Sequence, residues 1–376
     1  MIMVFSGGNS NDPHDFGGSI ASFRRELNRR GLENCGFDAL NGWKNFLSKL
    51  LWVLLRIFTL HKPYGWQFSS GAMTLYSRMI SKLMNSQDIL LSFYQITPCR
   101  NYRYIQIVDS SLRYLFESYA ELARIPSDVV SKALLLEKES YRFAEIVFVP
   151  NNEVRNDLII NYQVTDSKIV VAPWSPNNVS ELSHFEIVEK KCESIASGIQ
   201  FLFIGKDFAR KRLDKAVFLV KRIIEAGIQA HLHVVGGDGS NTPFRSESFI
   251  TFHGFLPNNS IALLKLLEIS HVGLLFSDGE ATGISLLEFQ KAGLVTITSG
   301  KGGTSSYLFT KYCFIDSSEE LSCAAEFILN LDIKRKTKDI YSKSIEEGSL
   351  FSGFDSMVDS LIGLLGLNQS SKQERK

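Results

Sequence analysis

The chain has 376 residues, of which 44% are hydrophobic and 22% are charged. This balance is typical of a globular protein, and the length suits two domains. A formal net charge of +1 gives no overall positive field, so nucleic acid is not an expected partner. The five cysteines follow no CxxC or Cys/His spacing, so we expect the reduced thiols of a cytosolic protein and no zinc site.

The N-terminal half alternates strand and helix patterns. Residues 3–5 form a strand-like run that leads into a loop rich in Gly and Asn, and a helix pattern extends from Gly17 and Gly18 toward residue 30. Further strand-like runs, rich in β-branched and aromatic residues, lie at 89–93, 104–108, 146–150 and 169–172. Strands that alternate with helices predict a parallel sheet, and a glycine loop after the first strand is typical of its phosphate-facing end.

The segment 43–62 has the pattern of an amphipathic helix, with large apolar residues on one face and polar residues on the other. From residue 39 to residue 87 the chain has no Asp or Glu, but it has six cations: Lys44, Lys49, Arg56, Lys62, Arg78 and Lys82. The cations interrupt the apolar run, so a helix that spans the bilayer is not expected. A basic amphipathic helix can instead lie in the surface of an anionic membrane. The alternative is a helix that packs its apolar face into the N-terminal core.

The C-terminal half begins with a polar, irregular stretch at 177–198, which predicts an interdomain linker. Strand-like runs then lie at 201–204, 231–235, 250–252, 272–276, 295–298 and 312–315. Helix patterns lie between most of them, at 215–226, 259–268, 284–292 and 319–331. This second alternation predicts a second parallel sheet.

The sequence therefore predicts an α/β protein with two Rossmann-like domains that face each other across a cleft. We expect an N-terminal domain at 1–176, the linker at 177–198 and a C-terminal domain at 199–350. A helix at about 352–367 can pack back on the N-terminal domain, and 368–376 is a polar tail.

A basic run at 205–212 (Gly-Lys-Asp-Phe-Ala-Arg-Lys-Arg) follows the first strand of the second domain. Like charges repel, so four cations within seven positions indicate an anionic ligand such as a diphosphate. Arg210 offers phosphate a planar, bidentate fork, and Lys211 offers a mobile point charge. The alternative is a solvated, basic helix start.

The run 280–288 (Glu-Ala-Thr-Gly-Ile-Ser-Leu-Leu-Glu) follows the buried strand pattern at 272–276. Its glycine opens a helix, whose first N–H groups have no intrahelical partner and attract a phosphate. These groups belong to Thr282, Gly283, Ile284 and Ser285. Glu288, about two turns into the helix, can accept the hydrogen bonds of a ribose diol, and Glu280 can reach a sugar hydroxyl. The alternative is a first-turn acid and an exposed helix residue.

Two weaker motifs lie at neighbouring strand ends. Gly236 belongs to a Gly-Gly-Asp-Gly turn that lacks the third glycine and the acid of a dinucleotide fingerprint, which argues against a dehydrogenase. His253 and Phe255 follow the run 250–252 and offer a polar edge and a ring to a nucleotide base. Both motifs are also compatible with plain turns.

The order of these motifs resembles the nucleotide-sugar domain of the retaining glycosyltransferases of family four (group one), which have the GT-B fold. The resemblance covers about 201–308, and 141–173 is similar to the end of that family's N-terminal domain. It implies transfer of a sugar from a nucleotide-sugar donor to an acceptor hydroxyl with retention of anomeric configuration, in bacterial cell-surface polysaccharide or lipopolysaccharide synthesis. It also implies a UDP or GDP sugar as the donor and no bound metal or cofactor. We expect a cytoplasmic enzyme, which is peripheral on the inner face of the membrane if the segment 43–62 binds lipid. A soluble protein is the alternative to a lipid-linked acceptor.

The resemblance also implies roles for individual residues. Arg210 and Lys211 stand where the family neutralises the donor diphosphate, Glu280 where it contacts the donor sugar, and Glu288 where it binds the ribose. The other donor-side positions are Gly205, Gly236, His253, Phe255, Thr282, Gly283, Ile284 and Ser285. Gly17 and Gly18 stand near the family's N-domain loop beside the donor phosphate or the acceptor.

The chain departs from the family at two positions. Many members place a histidine after a central N-domain strand to contact the transferred sugar, whereas Asp109 follows the run 104–108 here. We assign Asp109 to the catalytic group with Glu280, Arg210 and Lys211, and His14 is a second candidate. The position after Lys211 is often glycine in the family and is Arg212 here, which either adds a third cation to the phosphate or points outward.

Other functions are compatible with the same motifs. A sugar-nucleotide epimerase of similar fold would release free nucleotide without an acceptor, and a phosphorylase would need inorganic phosphate. A non-catalytic relative would bind a nucleotide sugar or a glycan without turnover.

Overall fold

The computed structural model describes residues 1–12, 18–39, 43–59, 61–62, 64–96, 102–174, 176, 184–280, 282–307, 318–330, 332–346 and 353–366. The chain divides into two compact units. Unit 1 comprises Met1–Trp174 together with Ser352–Lys376, and unit 2 comprises Ser175–Phe351.

Unit 1 is built on a parallel sheet. Its strands are β1 (Ile2–Phe5), β2 (Asn34–Gly36), β3 (Ile89–Ser92), β4 (Arg103–Ile107), β5 (Ile146–Val149) and β6 (Ile169–Val171), and its helices before residue 174 are α1 (Ser19–Arg29), α2 (Trp43–Phe58), α3 (Ser70–Ile80), α4 (Leu112–Ser118), α5 (Ser127–Phe143) and α6 (Asn152–Tyr162). Within the described residues the strand order is β2-β1-β3-β4-β5-β6. The central strands β1 and β3 are buried along their whole length, as expected for a parallel sheet with both faces covered.

Unit 2 contains a second parallel sheet. Its strands are β7 (Ile199–Ile204), β8 (Ala230–Val235), β9 (Ile250–Phe252), β10 (Val272–Leu275) and β11 (Val295–Thr298), and its helices are α7 (His184–Ser194), α8 (Leu213–Glu225), α9 (Ile261–Ile269), α10 (Ile284–Lys291), α11 (Ser318–Leu329) and α12 (Ile333–Glu346). The order among the described strands is β11-β10-β7-β8-β9. The chain order reverses between β7 and β10, and such a switch point is where open α/β sheets bind ligands.

Helix α13 (Gly353–Leu365) returns to unit 1 and packs on α1. The ring of Phe354 lies 5.7 Å from that of Phe23, between centroids. Arg29 on α1 also pairs with Asp355, with its Nη2 3.1 Å from Oδ1. An apolar contact and an ion pair therefore attach the end of the chain to the first helix.

The predicted fold class is confirmed, since each unit holds a parallel α/β sheet. The strand-like run at 312–315 lies outside the described residues. The sequence analysis missed β2 and α12. Strand β2 has the sequence Asn-Cys-Gly, which has low strand propensity, and it forms as an edge strand beside β1. Helix α12 is mostly polar, and its buried apolar residues in the described structure are Ile333 and Ile340, so few apolar positions mark it in the sequence.

The predicted linker at 177–198 contains helix α7, which lies in unit 2. Lys191 on α7 is buried and donates hydrogen bonds to the carbonyls of Leu267 and Ser270 at the end of α9. Burial lowers the pKa of the Lys191 amine to about 7. The sequence of this stretch is typical of a solvated linker because it is rich in polar and charged residues. Nothing in the sequence distinguishes the buried Lys191 from a surface lysine.

Candidate active site

The loops that follow β7 and β10 meet at the switch point of unit 2. The backbone N–H of Asp278 donates to the carbonyl of Arg210 over 2.9 Å. The Nη1 of Arg210 donates in return to the carbonyl of Gly279 over 2.7 Å and to Oγ of Ser277 over 3.2 Å. The guanidinium group is therefore held in place by the β10 loop.

Arg210 and Lys211 converge on one carboxylate, that of Glu280. Its Oε2 lies 3.3 Å from Nη1 of Arg210 and 3.6 Å from Nζ of Lys211. The three side chains are only 14–19% exposed, so salt screens their interaction less than it screens a surface pair. Asp207 adds a second, weaker partner for Arg210, with its Oδ2 3.6 Å from Nε. The predicted catalytic residues of unit 2 thus form one ion-paired cluster.

Two glycines allow this close packing. A Cβ atom on Gly205 would lie 2.3 Å from Cδ of Lys211, so the lysine side chain crosses directly over the end of β7. Gly236 has a φ of +125°, and a Cβ there would lie 2.0 Å from the carbonyl oxygen of Gly205. A side chain at Gly236 would push the β7 and β8 loops apart, and a side chain at Gly205 would displace Lys211 from the end of β7.

The start of helix α10 lies in the same β10 loop. Gly283 adopts a left-handed φ of +67° and precedes Ile284, the first helical residue. Thr282 and Ser285 are both buried, and Oγ of Ser285 makes no hydrogen bond within the described structure. Buried hydroxyls without a partner are rare, and this one stands beside the unpaired N–H groups of a helix start. The arrangement suits an incoming oxygen-rich anion.

Glu288 lies further along α10 and is only 6% exposed. Burial lowers the pKa of Lys291, and the Glu288 carboxylate, three residues earlier on the helix, acts to raise it. The helix thus holds an acid and a base near each other under partial burial.

The predicted base-contacting residues, His253 and Phe255, follow β9. Nε2 of His253 lies 3.0 Å from Nδ1 of His233, whose pKa is lowered to about 4 by burial and by the neighbouring His231 and His253. The ring of Phe255 is 53% exposed, and Nζ of Lys206 lies 4.6 Å from its centroid. A neutral imidazole and an accessible aromatic ring therefore stand at this strand end.

Sequence reasoning missed Ser277, Asp278 and Lys301. Oδ1 of Asp278 lies 3.4 Å from Nη1 of Arg212 and 3.6 Å from Nζ of Lys301. Arg212 also pairs with Asp214 at 2.8 Å, so its described partners are these two aspartates and not Glu280. The signal for Ser277 and Asp278 was the polar triplet Ser-Asp-Gly, which begins one residue after the buried strand β10.

Unit 1 holds the remaining predicted residues. Asp109 is half-buried in the turn after β4, next to the buried Ser110, whose carbonyl accepts a hydrogen bond from Nε2 of Gln95 over 3.3 Å. Gly18 has a φ of +92° and directly precedes α1. Gly17 and His14 lie outside the described residues.

A buried glutamate, Glu137 on α5, fixes the turn that carries Asp109. Its Oε1 accepts a hydrogen bond from the backbone N–H of Leu112 over 2.8 Å, at the start of α4, and one from the hydroxyl of Tyr141 over 2.6 Å. The hydroxyl of Tyr162 contacts the other oxygen. Burial raises the pKa of Glu137 to about 8. This carboxyl is therefore a structural group that joins α5 to the start of α4.

A family match covers the part of the chain that forms this cluster. Residues 186–344 match the model of the family Glycosyl transferases group 1. These residues lie in unit 2 and include Arg210, Lys211, Glu280 and Glu288. No curated protein matches the chain.

Solved structures of similar fold cover nearly the whole chain. WaaG, a glycosyltransferase involved in lipopolysaccharide biosynthesis, is 15% identical with a TM-score of 0.68, covering 96% of this chain and 100% of that one. Sucrose-phosphate synthase from Thermosynechococcus elongatus is 13% identical with a TM-score of 0.69, covering 97% and 98%. Anabaena HepE, solved in complex with UDP and glucose, is 11% identical with a TM-score of 0.60, covering 97% and 100%.

The protein therefore has the GT-B architecture of these neighbours. The family match and the fold together support sugar transfer as its class of reaction. Among the described residues, no group of three or more His, Cys, Asp and Glu side chains is arranged to hold a metal ion.

Proposed function

We propose that the chain is a glycosyltransferase that moves a sugar from a nucleoside-diphosphate donor to an acceptor hydroxyl. The observation that carries this proposal is the convergence of Arg210 and Lys211 on Glu280 at the switch point of unit 2. Two partly buried cations at the carboxyl ends of parallel strands suit a diphosphate, and a carboxylate beside them suits the sugar attached to it.

The donor fits along the carboxyl edge of the second sheet. In this arrangement the diphosphate contacts Arg210, Lys211 and the helix start at Gly283, while the ribose diol reaches Glu288. The base lies toward His253 and Phe255, which follow β9 in the same sheet. HepE was solved with UDP, and this supports a UDP sugar as the first donor to test, followed by a GDP sugar.

The chemistry needs mainly stabilisation of the leaving group. The bond between the anomeric carbon and the diphosphate oxygen breaks, and negative charge builds on the diphosphate. Arg210 and Lys211 stabilise that charge in a partly buried site, where such interactions are strong. The acceptor oxygen bonds the anomeric carbon from the same face, and the departing diphosphate takes the acceptor proton. This course retains the anomeric configuration.

The acceptor side belongs to unit 1 in this proposal. Asp109, held in its turn by Glu137 and Gln95, contacts the transferred sugar, and the glycine loop at Gly18 approaches the donor phosphate or the acceptor. WaaG acts in lipopolysaccharide biosynthesis, which supports a bacterial cell-surface glycan or lipid-linked sugar as the acceptor class. The acid-free stretch 39–87 supports meeting that acceptor at an anionic membrane surface.

A thermal-shift screen tests the donor site. We expect one nucleoside diphosphate among UDP, GDP, ADP and dTDP to raise the melting temperature, because a ligand that binds only the native state stabilises it. Glu288→Ala should remove most of that shift, since it removes the predicted ribose contact. Glu193→Ala, on helix α7 of the same unit, is the control and should retain it. Equal shifts in melting temperature in both variants would show that Glu288 does not bind the donor.

A further inference from the structure

Helix α2 is turned so that its apolar face points away from the protein. Eight large apolar residues on it are between 41% and 87% exposed: Phe46, Leu47, Leu50, Leu51, Leu54, Leu55, Ile57 and Phe58. At 3.6 residues per turn, these positions fall within an arc of roughly 180°. A solvated helix of a globular protein normally has the opposite orientation, with this face in the core.

The polar side of α2 attaches the helix to unit 1. Arg56 is only 8% exposed and forms a bidentate ion pair with Asp128 at the start of α5. Its Nε also donates to the carbonyl of Lys62 over 3.2 Å, and its guanidinium lies 5.2 Å from the ring centre of Trp52, which packs on the core of unit 1. The hydrogen bond from Arg56 lowers the pKa of Asp128. These contacts fix which face of the helix points outward.

This orientation decides between the two interpretations of the segment. In the described structure, the apolar face is not packed into the N-terminal core. Arg56 is already committed to Asp128, so it does not supply a free charge to a membrane. The stretch 39–87 contains no acid, and its exposed cations are Lys49, Lys62, Arg78 and Lys82.

We propose that α2 is a monotopic lipid anchor whose apolar face inserts into the surface of an anionic bilayer. The helix has 16 residues and is therefore about 24 Å long, shorter than the ~30 Å hydrocarbon core, which suits a helix lying in the plane of the interface. Leu and Phe side chains enter the acyl boundary, and the flanking cations meet lipid phosphates. No helix among the described residues is long and apolar enough to cross a membrane.

A bilayer fits this face better than a second copy of the chain. In a symmetric dimer the same patch would face itself, so the cations of 39–87 would face a surface of the same charge, without any acid from that stretch to neutralise them. Anionic lipid headgroups supply that neutralising charge. Lipid binding by α2 does not depend on the proposed function. Only the purpose of the anchor does, because it would bring the enzyme to an acceptor held in a membrane.

Vesicle flotation of the full chain tests the anchor. We expect the protein to bind phosphatidylcholine vesicles and to bind more tightly when phosphatidylglycerol is added. Burial of the apolar face of α2 contributes to binding on both kinds of vesicle, whereas attraction between cations and anionic headgroups contributes only on the second. Leu51→Glu with Leu54→Glu should weaken binding to both at least about tenfold. Leu135→Glu with Ile160→Glu is the matched control, since these leucine and isoleucine side chains are 63% and 73% exposed on α5 and α6. The control should bind as the unchanged protein does.

Several results would overturn the proposal. It fails if the unchanged protein does not float with either vesicle, or if the α2 variant binds as well as the control while circular dichroism shows both folded. It also fails if sedimentation without lipid finds a dimer that the α2 substitutions dissociate, because the face would then belong to a second copy. Nucleotide binding is measured without vesicles. A folded protein that binds nucleotide but not lipid would therefore contradict the lipid anchor and leave the proposed glycosyltransferase function standing.

Discussion

Arg210→Ala is expected to lower the rate of sugar transfer by about 10²–10³-fold, the cost of removing one group that stabilises developing charge. The KM for the donor should change less, because the interaction strengthens as the bond to the diphosphate breaks. Steady-state kinetics with the donor identified by thermal shift measure both values. Arg222→Ala removes an exposed arginine of α8 and should leave them unchanged.

Arg210 also has a local structural role, since its Nη1 bonds the carbonyl of Gly279 and Oγ of Ser277. Arg210→Lys separates the two roles. It keeps the charge but loses the planar fork, so we expect an intermediate rate with nearly normal nucleotide binding. An unchanged rate of transfer in Arg210→Ala would show that Arg210 does not stabilise the leaving group.

Glu280→Gln is expected to bind free nucleoside diphosphate more tightly while transferring sugar more slowly. In the structure the Glu280 carboxylate sits between Arg210 and Lys211, the cations that the diphosphate requires. The amide has the same size without the charge, so phosphate no longer competes with a carboxylate. We expect Kd for the diphosphate to fall roughly three- to thirtyfold, or about 0.7–2 kcal/mol.

The transfer rate of Glu280→Gln should fall at least about tenfold, because tighter product binding slows release and the proposed sugar contact is weakened. Titration calorimetry with the diphosphate and with the sugar nucleotide separates these effects, since only the second ligand carries the sugar. Glu225→Gln, at an exposed ion pair on α8, is the control. Unchanged or weaker diphosphate binding would show that phosphate does not take the place of the carboxylate.

The sequence predicts the architecture well because strand runs and glycine turns alternate regularly through both halves. It also predicts that Arg210, Lys211 and Glu280 lie near each other, since parallel strands bring their carboxyl ends to one edge of the sheet. It does not predict that Glu280 neutralises the two cations. That pairing depends on the strand order, in which β10 lies beside β7 although two other strands lie between them in the chain.

The burial of charged residues could not be predicted from the sequence, because a charged residue looks the same in a sequence whether it is buried or exposed. Lys191 and Glu137 look like surface residues of polar helices, yet both are buried with shifted pKa values. For helix α2, the periodicity of the sequence does not predict which face packs against the protein. The pattern reveals an apolar face and a polar face, but only the contact between Arg56 and Asp128 shows that the polar one is packed.

The central claim is that this chain transfers a sugar from a nucleotide donor to an acceptor. The most direct measurement incubates the protein with the sugar nucleotide that stabilises it, with and without a bacterial lipid and lipopolysaccharide extract, and follows diphosphate release and the product anomer by NMR. We expect diphosphate release that depends on the extract, with a new glycosidic bond of the donor's anomeric configuration. Release of free sugar or of an epimer without the extract, or no turnover by folded protein that binds the donor, would contradict it.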